Sequence, residues 1–410
     1  MTLIEFFDRV PIDNIMGTLL LRPEHVVFVG CSHGQMNKQK LLYEQVLKAR
    51  GIKTEIVLEY VNRNDLGETV QAFERLVTLY DDCVFDLEGG EEIYLVAVGM
   101  IMERYKNVRI QRINLETCKI LDLNSQTKDP VIEGQDLSLS EYLTISGGSI
   151  VYERNEKSYT YDWNLNEAMI TRIHTLWGIC KDDIGAWNCT VNTLDKVGDE
   201  CNLKDSLQWS FSPKNAQQTL DFKGDKYLLR RSLMQKLASQ GYLQDLVMTD
   251  ETVSFRFRDE IAKRILTTAG QILELWVARC LMALTDPRNR SKGVFHDVRV
   301  GVHIDWNQED DQDKNQSVNE IDVIAMKKNA PVFISCKNGS FTVDELYKLH
   351  TVAHRFGGEH AIQILVASSL NENTQNGMYM IKRARDMGIR IIKNTDVLSF
   401  ENLKHELGTI

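Results

Sequence analysis

The stretch "NEIDVIAMKKNAPVFISCKNG", residues 319–339, decides how this chain reads. Two short apolar runs flank the polar turn Lys327-Lys328-Asn329, which is the pattern of a β-hairpin. Each run carries charge where a buried strand ordinarily has none: Glu320 and Asp322 in the first, Lys337 at the end of the second. Side chains alternate across a strand, so Glu320 and Asp322 share one face of the first strand and Ser335 and Lys337 one face of the second, and all four converge on one side of the hairpin. Centring the turn on Lys328-Asn329 sets Asp322 opposite Ser335 and Glu320 opposite Lys337. Buried charges must be paired or metal-bound. Two carboxylates beside a lysine can bind a divalent cation and steady a water against a phosphodiester, with the lysine stabilising the charge that develops. A further carboxylate, Glu274, lies among small and apolar residues in "AGQILELWVARCL" and reads as pointing inward from a helix. The candidate catalytic residues are therefore Glu274, Glu320, Asp322, Ser335 and Lys337, and the candidate metal ligands Glu274, Glu320 and Asp322.

Around the hairpin the expected order is helix (268–284), strand (297–305), acidic loop (307–317), two strands (319–326 and 331–337), helix (342–356), strand (361–367), helix (378–387) and strand (389–393). The loop "NQEDDQDKNQ" reads as a solvated charge run. Residues 25–124 alternate short apolar strands with helical periodicity, which implies a parallel sheet wrapped by helices. The predicted helices there span 37–50, 65–80 and 88–105. Residues 125–160 are polar and turn-rich and mark a boundary. The segment that follows is mainly helical, and "KYLLRRSLMQKLASQG" before the hairpin "QDLVMTDETVSFRFRD" resembles a winged helix.

The 410 residues are 43% hydrophobic and 26% charged, an ordinary soluble composition long enough for two or three domains. A net charge of −10 argues against coating nucleic acid with the whole surface, though not against a local groove. The amino-terminal "MTLIEFFDRVPIDN" does not read as a secretory leader, and no run approaches a membrane span, so no membrane partner is expected. Eight cysteines without a C-x-x-C pair point to reduced thiols and a cytoplasmic location.

In the amino-terminal half, "VFVGCSHG" places a short loop between a strand and a helix, where backbone N–H groups suit a phosphate. "FDLEGGEEIYLVAVG" repeats the device with Gly89-Gly90. No G-x-G-x-x-G is complete, which disfavours a dinucleotide coenzyme. Loops at the carboxyl ends of strands are where open α/β sheets take ligands. The candidate ligand-binding residues are Cys31, Ser32, His33, Gly34, Gln35, Asn62, Glu88, Gly89, Gly90 and Glu91.

The carboxyl-terminal element order, with Asp322 followed by Ser335-Cys336-Lys337, resembles the PD-(D/E)xK nuclease superfamily. Ser335 departs from its usual acid, and Glu320 is a candidate to supply the missing charge. The amino-terminal half is similar to CARF domains, Rossmann-like sensors of cyclic oligoadenylates, although Glu88-Gly89-Gly90-Glu91-Glu92 lacks the lysine and threonines usual at that loop. Together with "CKNG", "DELYKLHTVAHRFGG" and "RARDMGIRII", the chain resembles the cyclic-oligoadenylate-activated CRISPR ancillary nucleases. The resemblance implies three parts: a CARF-like Rossmann domain (1–150), a winged-helix-like linker (151–258) and a PD-(D/E)xK nuclease domain (259–410). It also implies a homodimer activated by cyclic tetra-adenylate and a Mn²⁺- or Mg²⁺-dependent endonuclease of antiviral defence, acting on single-stranded nucleic acid or nicking duplex DNA. The rival reading is a cyclic-oligoadenylate-responsive DNA-binding regulator with an inert nuclease fold. Lys226, Arg230, Arg231 and Lys236 would then make the recognition helix basic.

Overall fold

A computed structural model describes residues 1–8, 10–114, 119–124, 136–152, 159–212, 229–287, 289–306 and 318–410. The acidic loop 307–317, Lys226 and residues 125–135 and 153–158 of the 125–160 boundary lie outside these residues.

The amino-terminal sheet contains β1 (Thr2–Phe6), β2 (His25–Gly30), β3 (Glu55–Tyr60), β4 (Cys83–Asp86), β5 (Arg109–Asn114) and β6 (Lys119–Asp122), in the order β3-β2-β1-β4-β5-β6. The first five are parallel, and β6 runs antiparallel to β5. This is the doubly wound arrangement expected from the alternation of strands and helices. Its central strand, β1, was not anticipated from the sequence. Glu5 interrupts a short apolar run there, yet the whole strand is buried. Burial holds the Glu5 carboxyl well above its usual range, and the nearby acids Asp86, Glu88 and Asp13 push it further. The helix Pro11–Leu21 returns the chain to β2 and begins with proline, whose fixed φ suits a first helical turn. The next three helices span His33–Ala49, Leu66–Leu79 and Glu92–Arg104. The first of these begins four residues earlier than expected, because Ser32 stands extended at its N-cap and the chain turns at once into helix.

After the helix Leu139–Ile145, strand β7 (Ser149–Ile150) leaves the first sheet and pairs with the carboxyl-terminal one. The expected boundary at 150 therefore falls on a strand of the carboxyl-terminal sheet. The middle region holds helices Glu167–Asp182, Ile184–Glu200 and Arg231–Ser239, with β8 (Gln208–Phe211), β9 (Leu243–Met248) and β10 (Val253–Phe257). These strands form an antiparallel sheet ordered β8-β10-β9, and the β9–β10 hairpin lies where the sequence placed it. Helices followed by such a hairpin give a winged-helix-like outline. The region does not stand apart, however. Its Trp177 stacks on Trp276 of the helix Gln271–Met282, with ring centroids 5.5 Å apart, and both belong to one apolar core shared with the last sheet.

That last sheet contains β11 (His296–Asp305), β12 (Val318–Lys327), β13 (Ala330–Lys337), β14 (Ile362–Ala367) and β15 (Ile389–Lys393), in the order β15-β14-β13-β12-β11-β7. β11, β12 and β13 are antiparallel, while β13, β14 and β15 are parallel. The helix Val343–Gly357 makes the crossover from β13 to β14, and Gln375–Asp386 the next one. The sequence missed the helices Glu260–Thr267 and Phe400–Gly408, short segments whose apolar faces dock on larger neighbours. A second core runs between the two halves. It joins Leu3, Ile12, Phe28 and Tyr142 to Ile304, Phe333, Leu349 and Phe356. The sensor-like and nuclease-like halves thus share apolar interior as well as polar surface contacts.

Candidate active site

The β12–β13 ladder has the register read from the sequence: Lys327 faces Ala330, and Val323 faces Ile334. Beyond Val323 the strands part. On its other side β12 stays paired with β11 through Val300–Val323, Val302–Ile321 and His303–Glu320. Between the first two pairs the pleat is broken. Val300 and Val323 pack into the core shared with the middle region, and Val302 and Ile321 into the core between the halves. The break sits at Gly301, whose φ of 61° is one that side chains rarely adopt, opposite Asp322. This kink turns Asp322 toward the end of β13. Its Oδ2 accepts the Cys336 backbone N–H at 2.6 Å and the Ser335 hydroxyl at 3.1 Å, and Lys337 Nζ lies 3.9 Å away.

The end of β13 is braced from the middle region. Asn188, on the helix Ile184–Glu200, donates to the Asn338 carbonyl, and Asn338 Nδ2 donates back to Asn188 Oδ1 at 2.9 Å. Ser368 donates to Asn338 Oδ1 at 3.1 Å. Glu274 enters from the helix Gln271–Met282, buried, with Gln271 Nε2 donating to its Oε2 at 2.8 Å.

The electrostatics are those of crowded acids. Burial raises the Glu274 carboxyl well above its usual range, the Asp322 and Glu320 charges add to that, and Lys337 opposes it. Burial likewise raises Asp322, offset in part by Lys337 and the Cys336 N–H. Burial would lower the Lys337 ammonium, but Asp322 and Glu345 outweigh it, so the lysine stays charged.

Two expectations change. Glu320 does not face Lys337. It stands across from His303 on β11, is mostly exposed, and approaches His303 Nε2 at 3.9 Å. The pleat break separates it from the face that an unbroken alternation would have given it. Lys337 pairs instead with Glu345 Oε2 at 2.8 Å. Sequence reasoning missed Glu345, although the acidic pair Asp344-Glu345 at a helix start just after "CKNG" was a visible signal. Ser335 is where it was expected.

Among the described residues, no three His, Cys, Asp or Glu side chains already form a metal cage. The donor set still suits a hard cation: Glu274 and Asp322 offer carboxylate oxygens whose ionisation burial opposes. Mg²⁺-type sites often need only one or two carboxylates, with waters and substrate phosphate completing the shell. Asp322 and Lys337 keep 20% and 28% of their side-chain surface in solvent, enough for a phosphate to reach them.

The sensor-side candidates gather at the carboxyl ends of β2, β3 and β4. His33 stacks on Tyr60 with centroids 3.7 Å apart, and Asn37 donates to the Tyr60 hydroxyl at 2.8 Å. Cys31 is exposed, while Gly34 and Gln35 lie in the first turn of the helix. Asn62 Oδ1 accepts the Asn64 N–H, Glu88 accepts from Arg112 at 2.6 Å, and Glu91 lies 3.9 Å from Arg63. Gly89 and Gly90 have φ of 69° and 80°, and a Cβ on Gly90 would stand 2.5 Å from the Phe6 Cβ. The Gly90 N–H, which the sequence offered to a phosphate, donates to Asp8 Oδ2 at 3.0 Å. Asp8, in the loop after the unanticipated β1, was missed for the same reason as its strand. That loop lies where the strand order reverses between β1 and β4.

Comparison with known proteins accords with this geometry. Residues 259–407 match the model of the Card1-like endonuclease domain. The carboxyl-terminal part of the chain is thus similar to that domain. The whole chain shares its fold with Can2 from Sulfobacillus thermosulfidooxidans, solved in complex with cyclic tetra-adenylate (TM-score 0.68, 14% identity, 99% of this chain and 98% of that one). It also shares its fold with protein VC1899 from Vibrio cholerae (TM-score 0.71, 18% identity, 100% of this chain and 97% of that one). No curated protein matches. The family model thus covers the carboxyl-terminal part of the chain, and the solved structures share the fold of its whole length.

Proposed function

We propose that this chain is a metal-dependent endonuclease whose CARF-like half binds cyclic tetra-adenylate and switches on cleavage of DNA or RNA in a homodimer. The observation that carries the reading is the Asp322–Lys337 pair, presented by a kinked hairpin inside a Card1-like endonuclease domain. The full-length likeness to Can2, which was solved with cyclic tetra-adenylate, supports the choice of activator.

Glu274 and Asp322 would hold Mg²⁺ or Mn²⁺. A cation there makes water more acidic and offsets charge on the scissile phosphate. The protein's own groups do the rest. The Cys336 N–H and the Ser335 hydroxyl fix the Asp322 carboxylate in one orientation. Lys337 carries a positive charge to the same place and stabilises the phosphoryl oxygens as negative charge accumulates on them. The sensor loops meet at the strand-order reversal, where an open sheet takes ligands. A symmetric ring on a two-fold axis can present the same edge to each subunit's loops.

The regulator reading is not favoured. In the helix Arg231–Ser239, Leu233, Met234 and Leu237 are buried. Arg231 donates to the Met248 carbonyl at 2.7 Å, and Lys236 pairs with Asp182. Those two cations serve the fold.

The test is cleavage of labelled single- and double-stranded DNA and RNA with Mn²⁺ or Mg²⁺, with and without cyclic tetra-adenylate. Cutting only with the ring supports the proposal. Cutting regardless of the ring removes the sensor, and binding without cutting restores the regulator.

A further inference from the structure

Lys337 has two anionic neighbours, and the nearer is Glu345, at 2.8 Å against 3.9 Å for Asp322. A lysine side chain has four rotatable carbons and no fixed direction of its own, so the partner it touches sets where its charge sits. Glu345 lies in the first turn of the helix Val343–Gly357. At about 1.5 Å per residue, these 15 residues form a rod about 22 Å long.

The far end of the rod is fastened to the sensor half. Arg355 Nη1 donates to the Ser146 carbonyl at 3.0 Å, and the Ser146 hydroxyl donates to the Phe356 carbonyl at 2.9 Å. A Cβ on Gly148 would stand 2.3 Å from the Phe356 ring, so the seam has no slack. Ser146 caps the helix Leu139–Ile145, which is itself clamped to His33–Ala49. Arg50 binds the Glu141 carboxylate through two nitrogens at 2.6 and 2.9 Å, and Gln39 donates to the Ile145 carbonyl at 2.7 Å. Gln39 lies less than two turns from His33, a candidate ligand residue.

We propose that Glu345 is the positioning residue for Lys337, and that its helix carries the state of the sensor loops to the lysine. The inference rests on the reading of the chain as a ring-activated nuclease. It adds a physical link between the two sites: helix, clamp, helix, latch and ammonium. A shift of the His33–Ala49 helix on ligand binding moves the Ser146 seam, and a stiff rod passes that movement to Glu345. Packed elements have discrete arrangements, so a small shift selects a position of Lys337 and does not fade along the way.

The experiment measures nuclease kinetics of the full chain with Mn²⁺, over a range of cyclic tetra-adenylate. The variants are Glu345→Gln, Glu345→Asp, Arg355→Ala and the double variant Glu345→Gln/Arg355→Ala. Glu345→Gln is isosteric at a partly exposed position, so it is expected to fold. Its expected kcat is at least tenfold lower, with KM for nucleic acid and ring affinity within about twofold of wild type. Glu345→Asp is expected to restore part of the loss. Arg355→Ala is expected to lower the maximal stimulation by the ring without changing ring affinity by more than about twofold. The double variant should lose less than the product of the single losses, because both act on one link. Wild-type kcat in Glu345→Gln overturns the positioning role, and fully multiplicative losses overturn the link. If wild type itself does not cut with ring and metal, the failure lies in the nuclease reading, which the same assay reveals first.

Discussion

Replacing Glu274 by Gln separates two demands on one side chain. The folded protein holds this carboxyl well above its ordinary value of 4.5, through burial and then through the charges of Asp322 and Glu320. The folded state therefore binds the proton more tightly than the unfolded chain does. The stability this contributes is fully present below pH 4.5 and is lost as pH rises through the folded-state pKa. Asp322 is shifted in the same direction, for the same leading reason. Gln has nearly the same shape, can still accept the Gln271 donor, and never ionises. An uncompensated buried polar group costs about 1–3 kcal/mol. For domains of this size that corresponds to roughly 2–10 °C in Tm.

Glu274→Gln, freed of divalent ions by chelator, should therefore melt with wild type near pH 5 and progressively above it toward pH 9. Added Mn²⁺ should raise wild-type Tm most at high pH, since a cation takes the place of the proton, and should raise the variant less. The same variant should lose cleavage. The assay is differential scanning fluorimetry across pH, with and without Mn²⁺. Parallel Tm–pH curves for the two proteins, or a variant less stable at pH 9, would refute the view that Glu274 is a strained carboxyl waiting for a cation.

Asp322→Ala and Lys337→Ala should each lower kcat by at least a hundredfold while ring affinity, measured by calorimetry, stays within about twofold, since removing one electrostatic contact to the reacting centre has effects of roughly that size. Gly90→Ala, at φ 80° and against Phe6, should weaken ring binding about tenfold or more and cost about 2 kcal/mol of stability or more; ring titration and thermal melts check both. Gly148→Ala should wedge Phe356 away from the seam at a cost of about 1–3 kcal/mol and reduce the stimulation by the ring more than its affinity, which a ring titration of nuclease rate would show.

The architecture was largely legible in the sequence because alternation and helical periodicity are local signals. The hairpin turn at Lys328-Asn329 fixed its own register, and Asp322 was correctly placed against Ser335. The misses share a cause. β1 was passed over because Glu5 lies within it, and only the surrounding sheet shows that this glutamate is buried. Glu320 was assigned to the wrong partner because strict alternation assumes an unbroken pleat. One glycine on the neighbouring strand, Gly301, breaks that pleat, and nothing in "NEIDVI" records it. Asp8 was missed because it acts on Gly90 across 82 residues, whereas Glu345 lies close to Lys337 in the chain and its pairing depends on how the helix packs against the end of β13.

The break at Gly301 also explains how a strand can serve two masters. An unbroken β12 would give all its alternate residues to one core, and Asp322 would be buried against apolar neighbours or left in solvent. With the pleat reversed there, the residues on either side of Asp322 anchor in different cores: Val323 with the middle region, Ile321 with the interior that the two halves share. Each core thus holds one neighbour of the acid. The helix Val343–Gly357 stands in the same position, with Leu349 and Phe356 in the shared interior and Glu345 on Lys337. Both charged partners of the lysine are thus mounted on elements that also contribute side chains to the core shared with the amino-terminal half.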